Sequence, residues 1–93
     1  MPYLVATVTI SDTDKFKAYL TAIDGLSERF GGSYVCRGPV AEMVEGEAPK
    51  GERVVIVEFP TEEALRGYIE SPEYLHGKAL REGGAKVQMR LIK

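Results

Sequence analysis

The sequence contains no tryptophan and no asparagine, and it has only one cysteine and one histidine. A single cysteine excludes a disulfide within the chain, and one histidine leaves little for a metal site, so we expect neither a metal nor a cofactor. No apolar run approaches the length of a membrane span, and the N-terminus lacks the basic and apolar segments of a signal peptide. We therefore expect a cytoplasmic protein.

Charge of one sign is also missing, since the 93 residues carry 12 basic and 14 acidic groups with a formal net charge of −2. No basic stripe is available to neutralise phosphates or a membrane surface, so we expect no nucleic acid and no membrane as partner. The composition of 44% hydrophobic and 28% charged residues is typical of a globular chain. Its length fits one domain over residues 1–93.

Hydrophobic periodicity predicts the element order β-α-β-β-α-β. Strands are predicted at 3–10, at 33–37 resuming at 40–45, at 52–59 and at 85–92. One helix is predicted at roughly 12–30, ended by Gly31-Gly32, and a second begins after Thr61, restarts at Pro72 and runs on to Gly83. Asp12 and Thr61 are suited to cap the two helices. Pro39 cannot donate to a strand ladder, so the second strand is expected at an edge or with a bulge.

This order predicts an α+β, ferredoxin-like fold with a four-stranded antiparallel sheet and helices on one face. The first and third strands are apolar on both faces. In the first strand, Tyr3 and Val5 lie on one face, and the other carries Leu4, Ala6, Val8 and Ile10. In the third strand, Val54 and Ile56 lie on one face, and the other carries Val55, Val57 and Phe59. The helix-free face would then be too apolar for a monomer. A loop or the C-terminal tail could cover it, but the turns are short. We expect a homodimer that packs through this face.

The chain contains several short motifs, each present once: FKAYL from Phe16, FGGSYVCRG from Phe30, EG at 45–46, VVIVEFPT from Val54, YIESPEY from Tyr68, and Arg81. With these motifs the chain resembles the domain of unknown function 1330 family from Tyr3 to Ile92. The resemblance implies a dimeric α+β barrel and no agreed biochemical activity. Pro39 departs from the family, which usually has a second glycine there, and His76 is not a family feature.

Arg37 and Glu58 are the first candidates for chemistry. If 46–51 closes a hairpin, Arg37 is expected near Glu58, at the end of the helix-covered core. The pair could be a structural ion pair that holds the bend, or Arg37 could clamp an anion or a carbonyl at the mouth of a pocket.

A second group consists of four tyrosines, which are many for so small a core: Tyr19, Tyr34, Tyr68 and Tyr74. Tyr19 and Tyr68 lie on the predicted inner faces of the helices. They could line a cavity for a small aromatic or carbonyl ligand, or they could be core residues with satisfied hydroxyls. His76 could act as a general base or as a haem ligand, or it could simply face solvent. Relatives within the wider superfamily that oxidise quinols or open haem use asparagine and tryptophan beside a histidine, and this chain has neither. Cys36 is expected to be a small buried hydrophobe.

Three functions remain open from the sequence. The first is a homodimeric protein that binds a small ligand between helices and sheet, with the site lined by Arg37, Tyr19, Tyr68, Tyr74 and His76. The second is a cofactor-free monooxygenase-like or isomerase-like enzyme, in which His76 or Glu58 takes a proton and Arg37 steadies the oxyanion. The third is a structural or assembly protein without a pocket.

Overall fold

The computed structural model describes all residues from 1 to 93. The elements, in chain order, are β1 (Tyr3–Ile10), α1 (Thr13–Ala22), α2 (Leu26–Arg29), β2 (Ser33–Pro39), β3 (Arg53–Glu58), α3 (Glu62–Glu70), α4 (Pro72–Leu80) and β4 (Ala85–Ile92).

The four strands form one antiparallel sheet in the order β2-β3-β1-β4. The strands that are apolar on both faces, β1 and β3, lie in the centre. Leu4 of β1 pairs with Val57 of β3 and with Leu91 of β4, which places all three side chains on the same face. The predicted α+β, ferredoxin-like fold is confirmed.

The core lies between the helices and this face of the sheet. Leu4 and Val8 of β1 are buried there with Val57, while Phe59 and Leu65 are completely buried. On β1 the alternate residues point to the helix-free face, where they stay half-buried in the single chain. None of the helices has the length and apolar composition that a bilayer span requires.

The first predicted helix, 12–30, is wrong in its extent. Asp12 caps it as expected, with its carboxylate accepting from Lys15 N at 3.1 Å. The helix ends at Ala22, however, and Gly25 takes a left-handed conformation with φ +72° before the short α2. Apolar spacing continues through this break, so the periodicity did not reveal it. The restart of the second helix is confirmed, because Ser71 ends α3 and caps α4.

The second strand differs from its prediction at its end. It is an edge strand with a bulge between Tyr34 and Cys36, as Pro39 suggested. The predicted continuation at 40–45 does not form. After Val40, whose N–H donates to the carbonyl of Glu52, no residue up to 51 belongs to a strand. In the observed register Val40 lies opposite Glu52, and the chain turns back at 49–52, where Glu52 N–H donates to the carbonyl of Pro49.

The expectation that Cys36 is buried is also wrong for the single chain. Cys36 is exposed, because it pairs with Ile56 and so lies on the helix-free face of an edge strand. No helix covers that face.

Candidate functional site

A cavity of about 310 Å³ lies between the helices and the sheet. Thirteen of its sixteen lining residues are hydrophobic, and the other three are Arg37, Gly38 and Arg53. This volume is at the lower end of the range found for small-molecule sites, so the cavity suits a ligand about the size of one substituted ring. The lining suits a ligand that is mostly apolar.

Two exposed residues of β2, Tyr34 and Arg37, help to form the mouth of the cavity. In a regular strand residues three apart point to opposite faces. The bulge at Val35 removes that alternation: Tyr34 pairs with Val57 and Arg37 with Val55, so both point to the helix side. The Arg37 guanidinium then lies over the Tyr34 ring, 4.3 Å from its centroid.

Arg53 completes the mouth from β3. It pairs with Pro39 of β2 and Val8 of β1, and it shares the helix-side face with Val55. Neither Arg37 nor Arg53 forms a salt bridge; the three ion pairs of the chain are Arg29–Glu73, Arg66–Glu62 and Lys93–Glu62. Two guanidinium groups without an acidic partner therefore stand at the entrance to an apolar cavity.

The inner wall of the cavity includes Tyr19 of α1, Tyr68 of α3 and Met89 of β4. Both tyrosines are buried. The pKa of Tyr19 and that of Tyr68 are far above the value for a tyrosine in water. Burial is the largest cause, and the nearby Tyr74 hydroxyl is the next. Both phenols are therefore neutral at physiological pH and can donate or accept hydrogen bonds.

Tyr74 lies behind this wall and does not line the cavity. Its ring packs on Tyr68 at a centroid distance of 5.1 Å and on Tyr19 at 6.2 Å. Its hydroxyl accepts from Arg81 Nη1 at 3.0 Å and donates to Met89 Sδ at 3.4 Å. Tyr74 therefore supports the inner wall and connects it to Arg81.

His76 and Glu58 lie away from the cavity, so the structure does not bring these two candidates together with the others. His76 is exposed, because the inward side of α4 is formed by Tyr74 and Gly77. Glu58 pairs with Tyr3 and Ser33 on the helix-free face, where its carboxylate raises the pKa of Tyr3.

The expected pairing of Arg37 with Glu58 is wrong. Arg37 lies opposite Val55, three positions from Glu58, and the two side chains project from opposite faces of the sheet. The bulge and the length of the hairpin loop set this register, and neither could be fixed from residue spacing alone.

Arg53 and Arg81 are not among the sequence candidates, and Tyr34 is grouped with the other tyrosines but is not assigned to the site. A bulge next to Pro39 was foreseeable, but its position was not, so the face that Tyr34 takes could not be assigned. Arg53 lies two residues before Val55 in a clearly predicted strand, so the sequence alone places both side chains on the same face of the sheet. Arg81 follows Tyr74 by seven residues, which is two helical turns and places both on one face.

The cavity wall carries phenol and guanidinium groups but no carboxylate and no imidazole. The chain also has no group of three or more histidine, cysteine, aspartate or glutamate side chains placed to hold a metal ion. The arrangement can enclose an apolar molecule, attract a negative or polarised oxygen at the mouth, and offer hydrogen bonds at the inner wall.

Solved structures with the same fold include proteins with and without a known activity. The RPA0582 protein of unknown function from Rhodopseudomonas palustris matches 99% of this chain and 81% of its own, with 22% identity and a TM-score of 0.74. SnoaB, a cofactor-independent oxygenase from Streptomyces nogalater, matches 99% and 90%, with 15% identity and a TM-score of 0.69.

A dimeric ferredoxin-like protein of unknown function from Jannaschia sp. CCS1 matches 98% of each chain, with 12% identity and a TM-score of 0.67. No curated protein matches the chain in sequence. The model of the family described as Domain of unknown function (DUF1330) matches residues 1–93, so the chain belongs to the DUF1330 family.

Proposed function

We propose that this protein binds a small, mostly apolar organic acid. The apolar part fills the cavity, and the acidic oxygens contact Arg37 and Arg53 at the mouth. The observation that carries this proposal is the pair of arginines without an acidic partner at the entrance to a cavity whose other lining is almost entirely apolar. An open cavity also supports binding over a purely structural role.

The charges favour an acid over a neutral or basic ligand. A guanidinium group offers donors in a fixed fork that matches a carboxylate, and no carboxylate of the chain competes for them. Because Arg37 is already stacked on Tyr34, part of its conformational freedom is lost before a ligand arrives. The apolar wall gives the remaining affinity by removing ligand surface from water.

A binding assay with matched ligands tests this proposal. Benzoate and phenylacetate are titrated by calorimetry beside their neutral amides, benzamide and phenylacetamide. We expect the acids to bind more tightly than the amides. Arg37→Met and Arg53→Met should each weaken the acids by about fivefold and leave the amides unchanged, since each removes one partly solvated charged contact.

Arg29→Met is the matched control, because Arg29 is an exposed arginine that does not line the cavity. It should bind both acids as the wild type does. Acids and amides binding equally well to the wild type, or no binding of any of the four compounds, would contradict the proposal.

We also propose that two copies pack through the helix-free face. Val5, Val54 and Ile56 leave this face apolar and half-buried in the single chain, and sheet-on-sheet packing would cover it. The Jannaschia protein with the same fold is described as dimeric, which supports the proposal. Sedimentation should give a dimer at micromolar concentration and a monomer for Ile56→Lys. Thr21→Lys, on the exposed side of α1, should stay dimeric; a wild-type monomer would contradict the proposal.

A cofactor-free oxygenase or isomerase is the second candidate. The shared fold with SnoaB favours it, together with the position of Arg37, which could steady an oxyanion at the cavity. Oxygen uptake and product formation are measured with phenols and enolisable ketones for the wild type, Arg37→Met and His76→Ala. Turnover that Arg37→Met reduces would support this candidate. Compounds that bind without any turnover would end it.

A further inference from the structure

The buried Tyr68 side chain carries a hydroxyl group that the protein itself does not use. The residue is 5% exposed and belongs to the inner wall of the cavity. Its hydroxyl forms no hydrogen bond with the chain, whereas that of Tyr74 forms two. Every fully enclosed polar side-chain atom of the protein has a partner, so the Tyr68 hydroxyl must keep some accessible surface.

The accessible part of the Tyr68 hydroxyl faces the cavity. Three other aromatic rings surround the Tyr68 ring, with centroid distances of 6.2 Å to Phe30, 5.6 Å to Phe59 and 5.1 Å to Tyr74. The side of the residue that these rings leave open is the side that lines the cavity. A molecule inside the cavity can therefore reach this hydroxyl.

The other hydroxyls near the inner wall are already engaged. The Tyr74 oxygen accepts from Arg81 Nη1 at 3.0 Å, and its proton is donated to Met89 Sδ at 3.4 Å. Burial and then the neighbouring Tyr74 hydroxyl raise the pKa of Tyr19, so the hydroxyls of Tyr19 and Tyr74 lie side by side. Tyr68 is thus the phenol of the wall with the most capacity left for a ligand.

The inner wall disfavours charge. Burial raises the pKa of Tyr68, so this phenol keeps its proton and can both donate and accept a hydrogen bond. The same desolvation acts on any ligand oxygen that enters this part of the cavity. An oxygen that binds beside Tyr68 is therefore favoured in an uncharged form.

The phenol and the arginines contact different ends of the cavity. The Tyr68 ring packs on Phe59, which follows the last residue of β3, whereas Arg53 is the first residue of that strand. A ligand whose acidic group lies at the mouth therefore reaches Tyr68 with its opposite end.

We infer that the ligand carries a second, uncharged oxygen, a hydroxyl or a carbonyl, and that Tyr68 selects for it. This inference rests on the proposed function, and it narrows the ligand class from an apolar organic acid to a hydroxy or oxo acid with its two polar groups at opposite ends. Such an oxygen loses its hydrogen bonds to water on entering an apolar cavity, and the Tyr68 hydroxyl replaces one of them.

The test compares ligands that differ in a single group. 4-Hydroxybenzoate is paired with 4-methylbenzoate, and 4-hydroxyphenylacetate with 4-methylphenylacetate, because a methyl group is similar in size to a hydroxyl and forms no hydrogen bond. Affinities are measured by calorimetry at pH 7 for the wild type, Tyr68→Phe and the control Tyr3→Phe. The control also removes one phenol hydroxyl, but Tyr3 lies outside the cavity, opposite Glu58.

We expect the wild type to bind the hydroxy acid of at least one pair no more weakly than its methyl partner. Tyr68→Phe should bind that hydroxy acid about tenfold more weakly than the methyl acid, because the ligand hydroxyl is then buried without a partner. The methyl acids should bind Tyr68→Phe at least as well as the wild type, which shows that the cavity is intact. Tyr3→Phe should keep the wild-type ratio.

Two results would overturn the inference and leave the proposed function standing. One is a wild type that binds both methyl acids at least about tenfold more tightly than their hydroxy partners, a measurement that needs no variant to fold. The other is a Tyr68→Phe protein that binds the methyl acids normally and keeps the wild-type ratio in both pairs. If the wild type binds none of the four acids, the proposed function fails together with the inference.

Discussion

Gly77 of α4 lies directly against Ile23, the C-cap of α1: a Cβ atom added at Gly77 would come within 2.7 Å of Ile23 Cγ2. The same atom would lie 3.4 Å from the ring of Tyr19. We expect Gly77→Ala to lower the free energy of unfolding by about 1–3 kcal/mol, since overpacking outweighs the gain of about 1 kcal/mol in helix propensity. Chemical denaturation measures the difference.

Gly67→Ala is the matched control, because Gly67 is also within a helix. There the added atom would lie 3.2 Å from the edge of the Phe30 ring, which is only half-buried. We expect this variant to stay within about 1 kcal/mol of the wild type. A Gly77→Ala protein as stable as Gly67→Ala would mean that α1 and α4 do not pack this closely.

Ser71 joins α3 to α4 with two hydrogen bonds. Its hydroxyl donates to the carbonyl of Tyr68 at 2.8 Å and accepts from Tyr74 N at 3.1 Å, and the residue is buried. We expect Ser71→Ala to cost about 1–2 kcal/mol of stability, because a buried cap is lost. Thr61→Ala, which removes the exposed cap on Ala64 N, should cost less. Equal losses in thermal denaturation would contradict the role of burial.

Glu62 should make the stability of the protein depend on pH in the acid range. Hydrogen bonds from Lys93 and Arg66 hold the pKa of this carboxylate below its ordinary value of 4.5. A lowered pKa in the folded state means that the stabilisation is present above about pH 4.5 and is lost as the pH falls through the folded value. Glu62→Gln should be slightly less stable than the wild type at pH 7, and the difference should shrink as the pH falls below 4.5. Salt should shrink the difference, since both pairs are exposed.

Tyr68 should make the stability of the protein depend on pH in the alkaline range. There the stability falls as the pH rises, whereas the contribution of Glu62 is lost as the pH falls. Burial raises its pKa above the ordinary value of 10.0, so the folded protein holds the proton more tightly than the unfolded chain does. Its contribution is complete below pH 10 and is lost as the pH rises above that value. Stability measured between pH 8 and 11 should fall less steeply for Tyr68→Phe. Parallel curves for the two proteins would show that the Tyr68 hydroxyl is not desolvated.

The sheet could be predicted almost completely from the sequence, because burial on both faces leaves a direct trace in residue type. Val55 and Val57 on one side of β3, with Val54 and Ile56 on the other, identify a central strand without any structural information. The helix break at Gly25 and the missing strand at 40–45 could not be predicted. Both depend on how the chain turns back against its neighbours, which periodicity does not encode.

The candidate site was predictable only in part. On an edge strand with a bulge, one extra residue decides to which side of the sheet every following side chain points. Tyr19 and Tyr68 lie in the apolar stripes of their helices, so the sequence predicts that both side chains point to the core. Arg37 lines the cavity but does not pair with Glu58, since the bulge at Val35 and the long hairpin loop place it opposite Val55. His76 lies next to Gly77, which is on the inward face of α4. Its residue type alone does not show whether the His76 side chain points inward or to solvent.

The arginines at the mouth both belong to the hairpin of β2 and β3, and nearly every residue of β2 is exposed. The residues that hold the fold together lie elsewhere, on β1, on the helices and at the far end of β3. If the proposed function holds, mutations in the hairpin alter ligand preference while the buried core is untouched. Proteins sharing this architecture are free to diverge in what they recognise, and the hairpin is where an engineer should begin to redirect this one.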